Sequence, residues 1–393
     1  MDLRSLVRNV ETYVSQHLPQ YIEELRELCA IDSDSYSKPG LDEMAARLGA
    51  RMRGLGMNVT IIEHKQWGND LLGVIEGSGS GNVLLLGHID TVYPAGTAAA
   101  RPVRVEGNTI YGPGVCDMKG CILAAIYAIE ALLALDYRSF GELRFLCVSD
   151  EEINIRHCKD ILYQVCQNCQ GALVLEAARE NGDIVSARKG HLTYTLTARG
   201  RSAHAGVEPE KGSNAITELA HQVLQFQSLN GWREGITINP GVIAGGTMPN
   251  VVPDYAHAEF DLRFLHIDDK IATERRFQEM LNQQMVPGVE LTLESSPDIK
   301  EPMLRTPETL QLANQAQHIA NLLGFSINHV LTGGASDASY ASHYGVSALD
   351  GLGPIGGLDH SPSEYLLANS IAPRAALLAG LTVTIGAREA LSR

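Results

Sequence analysis

Apolar positions recur first at helical and then at strand spacing along the early part of the chain. Over residues 6–28 and 41–55 they return every three to four positions, which predicts two amphipathic helices. Short, mainly apolar runs follow at residues 71–75, 83–86, 143–148 and 172–175, the pattern of strands covered on both faces. Residues 119–135, between two of these runs, are almost entirely apolar and predict a buried helix. Strands alternating with helices predict an α/β fold, a mixed sheet flanked by helices. In such sheets ligands collect beyond the carboxyl ends of the strands.

The pattern changes near Arg188. Residues 191–198 alternate as a strand, 213–229 are helical, 236–244 and 255–264 are strands, 268–284 are helical, and 289–294 form a last strand. The order β-α-β-β-α-β is that of a split βαβ, or ferredoxin-like, α+β domain. The predicted organisation is therefore an outer domain in two parts, 1–187 and 301–393, with an inserted domain at 188–300. Helices at 307–323 and 369–384 complete the outer domain.

The 393 residues exceed one ordinary core and agree with two domains. Acidic residues outnumber basic ones, 46 to 31, for a net charge of −15. That balance argues against a nucleic-acid partner, which selects for a basic face. The acids are dispersed, as in an ordinary soluble surface. No run reaches the roughly 18 apolar residues of a membrane span. The first twenty residues lack the basic start and unbroken apolar stretch of a secretory signal. Seven scattered cysteines, an odd number, fit a reducing compartment, so a cytoplasmic location is expected. Cys166 and Cys169 have the spacing of a redox or zinc pair but no second pair accompanies them; they are read as free thiols.

Four predicted strand or loop ends stop in metal-capable side chains. The run 83–86 ends in Gly87-His88-Ile89-Asp90, and residues two apart in an extended chain project to one side. His88 is thus placed to bind a metal while Asp90 accepts the other imidazole N–H. A glycine- and proline-rich loop, 111–116, leads to Asp117 at the start of a helix; a helix cap is the simpler reading of that residue alone. The run 143–148 ends in Asp150-Glu151-Glu152, three adjacent acids that repel one another without a cation or proton. The run 172–175 ends in Glu176, and His360 lies in a glycine-rich loop at 351–361. Each feature alone is commonplace. Two histidines and several carboxylates at the ends of one sheet are a ligand set that divalent metals accept.

These motifs, with Asp117-Met-Lys-Gly, Arg188-Lys-Gly, Ser202-Ala-His-Ala-Gly206, Gly333-Gly334 to Asp337 and His360-Ser361, occur in order over nearly the whole chain. The sequence resembles the dinuclear zinc amidohydrolases, which comprise acetylornithine deacetylase, succinyl-diaminopimelate desuccinylase, aminoacylase and bacterial glutamate carboxypeptidase. It most resembles the glutamate carboxypeptidase branch. The resemblance implies two Zn2+ ions, replaceable by cobalt or manganese, bridged by Asp117. His88 and Glu176 would complete one site, Glu152 and His360 the other. It makes Glu151 the general base, Asp90 the partner of His88, and His204 an oxyanion-stabilising group donated across a homodimer formed by the inserted domain. Asn250, Arg263 and Gly334 would contact a small-molecule substrate, an N-acyl amino acid or short peptide. The resemblance further implies a cis peptide between Asp117 and Met118.

Three departures lie near the implied site: Ala177 in place of a proline, Asn154-Ile155 in place of Gly-Ser, and Cys121 in place of a glycine. None removes a ligand. The activity expected is hydrolysis of an amide or peptide bond next to a free carboxylate. Two alternatives stand beside it: a biosynthetic amidohydrolase acting on an acylated intermediate, and a catalytically silent binding homologue.

Overall fold

The computed structural model describes residues 1–387. They form two compact units: residues 1–187, 305–331 and 336 onward in the first, Arg188–Leu304 and Thr332–Ala335 in the second.

The first unit is a six-stranded mixed sheet with helices packed against it. Strand order is Asn58–Ile62, Asp70–Glu76, Glu142–Val148, Asn82–His88, Cys169–Val174 and Ala348–Leu349. The last four run parallel to one another, and Asp70–Glu76 pairs antiparallel with both of its neighbours. The strand Asn82–His88 is central, and all but its first residue are buried, which explains its unbroken apolar run. The carboxyl ends of the parallel strands converge on one edge of the sheet. Residues 88–90, 149–152 and 175–176 emerge there.

Residues 6–28 were expected as one helix and are two, Leu3–Gln16 and Leu18–Cys29, separated at His17. Pro19 is the reason: it lacks an N–H and its ring clashes with the preceding turn, so it is tolerated only in a first turn. Leu6, Val7, Val10 and Val14 still line a single buried face. Asp2 caps the first helix by accepting from the Ser5 N–H. The helix Pro307–Leu323 is capped by Thr306 and ends at Gly324, whose φ of 87° favours glycine. Two helices, Lys119–Ala134 and Ala368–Gly386, are buried almost all round.

A four-stranded sheet of very short strands was not legible in the sequence: Gly356–Gly357, Tyr365–Leu367, Thr109–Tyr111 and Arg104–Glu106. It pairs Tyr365 with Tyr111 and thereby sets the Asp117 loop beside the His360 loop.

The second unit is an antiparallel sheet in the order Thr237–Gly245, Tyr255–Phe264, Gly190–Arg199, Glu290–Ser295, with helices Ala215–Ser228 and Ile267–Leu281. This is the split βαβ arrangement that the alternating pattern predicts. It has a hydrophobic core of its own, in which Phe226 and Phe277 stack at 4.1 Å. Replacing the fully buried Phe277 by Ala is expected to cost this unit about 3–5 kcal/mol. Denaturant unfolding checks this.

Candidate metal centre

The chain ends its central strand on His88, which is 2% exposed in its side chain. The Nε2 atom of His88 lies 2.9 Å from Asp117 Oδ1 and 3.8 Å from Glu176 Oε1. The other oxygen of Asp117, Oδ2, lies 3.1 Å from His360 Nε2, and the same nitrogen is 3.2 Å from Glu152 Oε2. One carboxylate therefore serves two imidazoles, one on each oxygen. The five side chains fall into two overlapping donor sets, His88–Asp117–Glu176 and Asp117–Glu152–His360, that share Asp117.

Asp90 organises this arrangement from below. The Nδ1 atom of His88 is 3.0 Å from the Asp90 backbone oxygen and 3.3 Å from its Oδ1, so either contact turns Nε2 toward Asp117. The Asp90 carboxylate also accepts from the backbone N–H of Glu151 and of Glu152 and from the Ser35 hydroxyl. A single buried acid thus fixes both the imidazole and the acidic pair. Glu151 opens a short helical turn and its carboxylate raises the pKa of both Glu152 and Glu176 through its charge.

The electrostatics are those of a site built for cations. Burial pushes the Glu152 carboxyl up to about 7, against the pull of His360. Burial and the Asp117 charge likewise push Glu176 well above its ordinary value. Burial acts to raise Asp117 too, but hydrogen bonds from His360 and His88 hold it well below the usual carboxylate range. The His360 imidazole is pushed up to about 11 by its bonds to Asp117 and Glu152. Glu152 Oε1 is buried with no hydrogen-bond partner. An unpaired buried carboxylate oxygen is costly. Three carboxylates and two imidazoles with such a vacancy in their bonding fit two divalent ions, with Asp117 between them.

Glu364 was missed in the sequence, and it holds the Asp117 loop. Its Oε1 accepts from the N–H groups of Cys116 and Asp117, and its Oε2 from Gly114 N–H and the Tyr93 hydroxyl. The only signal in the sequence is that Glu364 is the one charged residue between His360 and Arg374. Arg374, also missed, is fully buried and donates to the carbonyls of Gly353, Gly182 and Gly351. The peptide between Asp117 and Met118 is cis, as expected.

The remaining residues named from the sequence lie in the second unit. His204 is exposed, and its Nδ1 accepts from the Gly206 N–H at 3.1 Å. A backbone N–H only donates, so the ring proton sits on Nε2 and that edge is a donor. Asn250 is alongside, its carbonyl accepting from Ala205 N–H. Arg263 is held by Asp261 through Nε and Nη2, at 2.8 and 2.9 Å, and by the Gly333 carbonyl. Gly334 accepts from Arg188 through its carbonyl.

Residues 186–289 match the family model described as the peptidase dimerisation domain of the M20 peptidases. Over that segment the chain is similar to the M20 peptidases. It is 27% identical over 375 residues to carboxypeptidase G2 of a Pseudomonas strain, covering 94% of this chain and 90% of that one. It is 28% identical over 341 residues to succinyl-diaminopimelate desuccinylase of Alkalilimnicola ehrlichii, covering 82% and 88%. The fold is shared with the aminopeptidase PepT of Bacillus cereus, at a TM-score of 0.82 and 21% identity over 94% of this chain and 98% of that one.

Glu364→Ala strands three backbone N–H groups in a buried loop, each worth about 1–3 kcal/mol when unpaired. We expect lower thermal stability and substoichiometric metal after loading. Glu364→Gln, which keeps one acceptor oxygen, should lie between Ala and wild type in both measurements.

Proposed function

We propose that the protein is a two-zinc hydrolase that cleaves an amide or peptide bond adjacent to a free carboxylate. The observation that carries this reading is the sharing of Asp117 between His88 and His360, with Glu176 and Glu152 completing the two donor sets. When bound, the metal pair supplies Lewis acidity and lowers the pKa of a water from about 16 toward neutrality.

The other steps belong to side chains of the chain. Glu151 takes a proton from the attacking water and delivers it to the leaving amine nitrogen. Asp90 keeps that base in register by holding the Glu151 and Glu152 backbone amides. His204 donates its Nε2–H to the oxyanion as the carbonyl becomes tetrahedral. Arg263 orients the substrate carboxylate with Asn250. Its contacts with Asp261 and Gly333 leave two of the five guanidinium N–H groups for that purpose. Gly334 lines the same substrate. The protein acts as a homodimer through its second unit, in which His204 of one protomer serves the metal pair of the other. Similarity to both a carboxypeptidase and a desuccinylase supports a substrate that is a short peptide or an N-acyl amino acid.

A panel of dipeptides and N-acyl amino acids, assayed with and without chelator, tests the proposal. Chelation should abolish turnover, and zinc, cobalt or manganese should restore it. Turnover by metal-free protein contradicts the reading.

Two further outcomes separate the roles. Glu151→Ala should retain its metal and lose about a hundredfold or more in turnover, whereas Asp117→Ala should lose metal. His204→Ala should lose about 2–4 kcal/mol of transition-state stabilisation with metal content unchanged. Mixing His204→Ala with Glu151→Ala protomers should then restore part of the activity, because one hybrid site receives both intact groups.

A further inference from the structure

A second cluster of metal-capable side chains lies in the first unit apart from the residues that surround Asp117. His64, Asp70, His157 and Cys158 bring one donor atom each to within 4.8 Å of one another. His64 Nε2 is 2.7 Å from Asp70 Oδ2. The other oxygen of Asp70 accepts from the N–H and the hydroxyl of Ser149. The His157 ring stacks on Trp67 and meets His64 edge-on, with ring centres 4.5 Å apart in the second case. Its Nδ1 is 2.9 Å from Asp150 Oδ2, which leaves Nε2 on the side of Ser149 Oγ, at 3.2 Å. Cys158 is buried, and its thiol lies beside the Asp70 and Asp150 carboxylates.

A structural hydrogen-bonded knot explains part of this. A neutral or charged imidazole satisfies Asp70, and the Asp150–His157 contact resembles many buried pairs. It does not explain why two fully buried carboxylates, each with an imidazole as its ion-pair partner, also have a thiol pressed between them. Burial beside two acids is the least favourable setting for a thiolate, and it pushes the Cys158 thiol well up. A bound cation reverses that logic, because a coordinated thiol gives up its proton to solvent. His157 Nδ1 is buried 2.9 Å from Asp150 Oδ2 without a hydrogen bond, a polar atom left unsatisfied beside the cluster.

We propose that His64, Asp70, His157 and Cys158 bind a further metal ion, Zn2+ by their chemistry, which fixes the loop that carries Glu151 and Glu152. Two imidazoles, one carboxylate and one thiolate form a four-coordinate set that zinc accepts and that the hard ions calcium and magnesium do not. Bond lengths of about 2.0–2.3 Å put tetrahedral donors roughly 3.3–3.8 Å apart, so the observed spread closes with small side-chain rotations. His157 and Cys158 end the segment that begins at Ser149, and His64 and Asp70 come from a different part of the chain. The ion would tie the two together. The segment needs such a tie: the β-branched Ile155 has a positive φ of 42°, a region such a residue enters only when held.

Cobalt substitution tests the site independently of turnover. The donor sets around Asp117 contain no thiolate, so a near-ultraviolet thiolate-to-cobalt charge-transfer band reports Cys158. Wild type loaded with Co2+ should show the band and bind three ions per protomer. Cys158→Ser, and independently His64→Gln, should lose one ion, and Cys158→Ser should abolish the band. Amide hydrogen exchange across the 149–158 loop should quicken in both variants. Counting the ion as the third rests on the two-metal reading, but Asp117→Ala separates the two claims: it should keep the band and one ion. No band in wild type, or a band unchanged in Cys158→Ser, overturns the proposal.

Discussion

Placing Asp117, Glu152 and Glu176 together at the carboxyl edge of one sheet is the constraint on which the rest of the first unit depends. Three carboxylates in a largely desolvated site repel one another, and burial alone drives Glu152 and Glu176 toward their protonated forms. Two imidazoles relieve only part of this: both contact Asp117, and His360 also reaches Glu152. Divalent ions would relieve the remainder, so the polypeptide must hold the donors apart in their absence. It does so with backbone hydrogen bonds. Asp90 grips the amides of the Glu151–Glu152 turn, and Glu364 grips three amides of the loop that ends in Asp117. Arg374 collects three carbonyls, those of Gly182, Gly351 and Gly353. Each of these groups is buried and takes most of its hydrogen bonds from main chain.

The second unit answers a different requirement. It has its own core and its own sheet, and its functional candidates stand on loops and strand ends. His204 is set as an Nε2–H donor by one backbone bond, an inexpensive way to fix a tautomer. Arg263 is pinned by Asp261, whose carboxyl is held down to about 2 by His191 and Arg263 despite its partial burial. A guanidinium fixed in this way loses little side-chain entropy when it meets a substrate. The family match falls on this unit, and similarity to a carboxypeptidase runs through both.

Much of the fold was legible because its strands obey simple periods. Mainly apolar runs gave three of the four parallel strands, all but Ala348–Leu349, and alternation gave the strand near residues 191–198 of the second unit. The apolar spacing of residues 6–28 runs continuously across Pro19, where the helix breaks. The two- and three-residue strands at 104–111 and 356–367 carry no period, since two residues cannot express one. Yet that small sheet brings Asp117 and His360 together across 243 positions. The metal-capable residues were legible as strand ends followed by acids and histidines, and their assignment came from order and resemblance. Glu364 and Arg374 were not legible, because a buried charge satisfied by main chain leaves no pattern among neighbouring side chains. The cluster of His64, Asp70, His157 and Cys158 was hidden for a related reason: its members lie in two segments that only the sheet brings together.

The central claim is that Asp117 bridges two metal ions. Anomalous diffraction from crystals of the zinc-loaded protein, collected on either side of the zinc edge, tests it most directly. The account predicts two peaks flanking the Asp117 carboxylate, about 3.5–4 Å apart, one near His88 and Glu176 and the other near Glu152 and His360. A single peak, or two peaks neither of which touches Asp117, contradicts it.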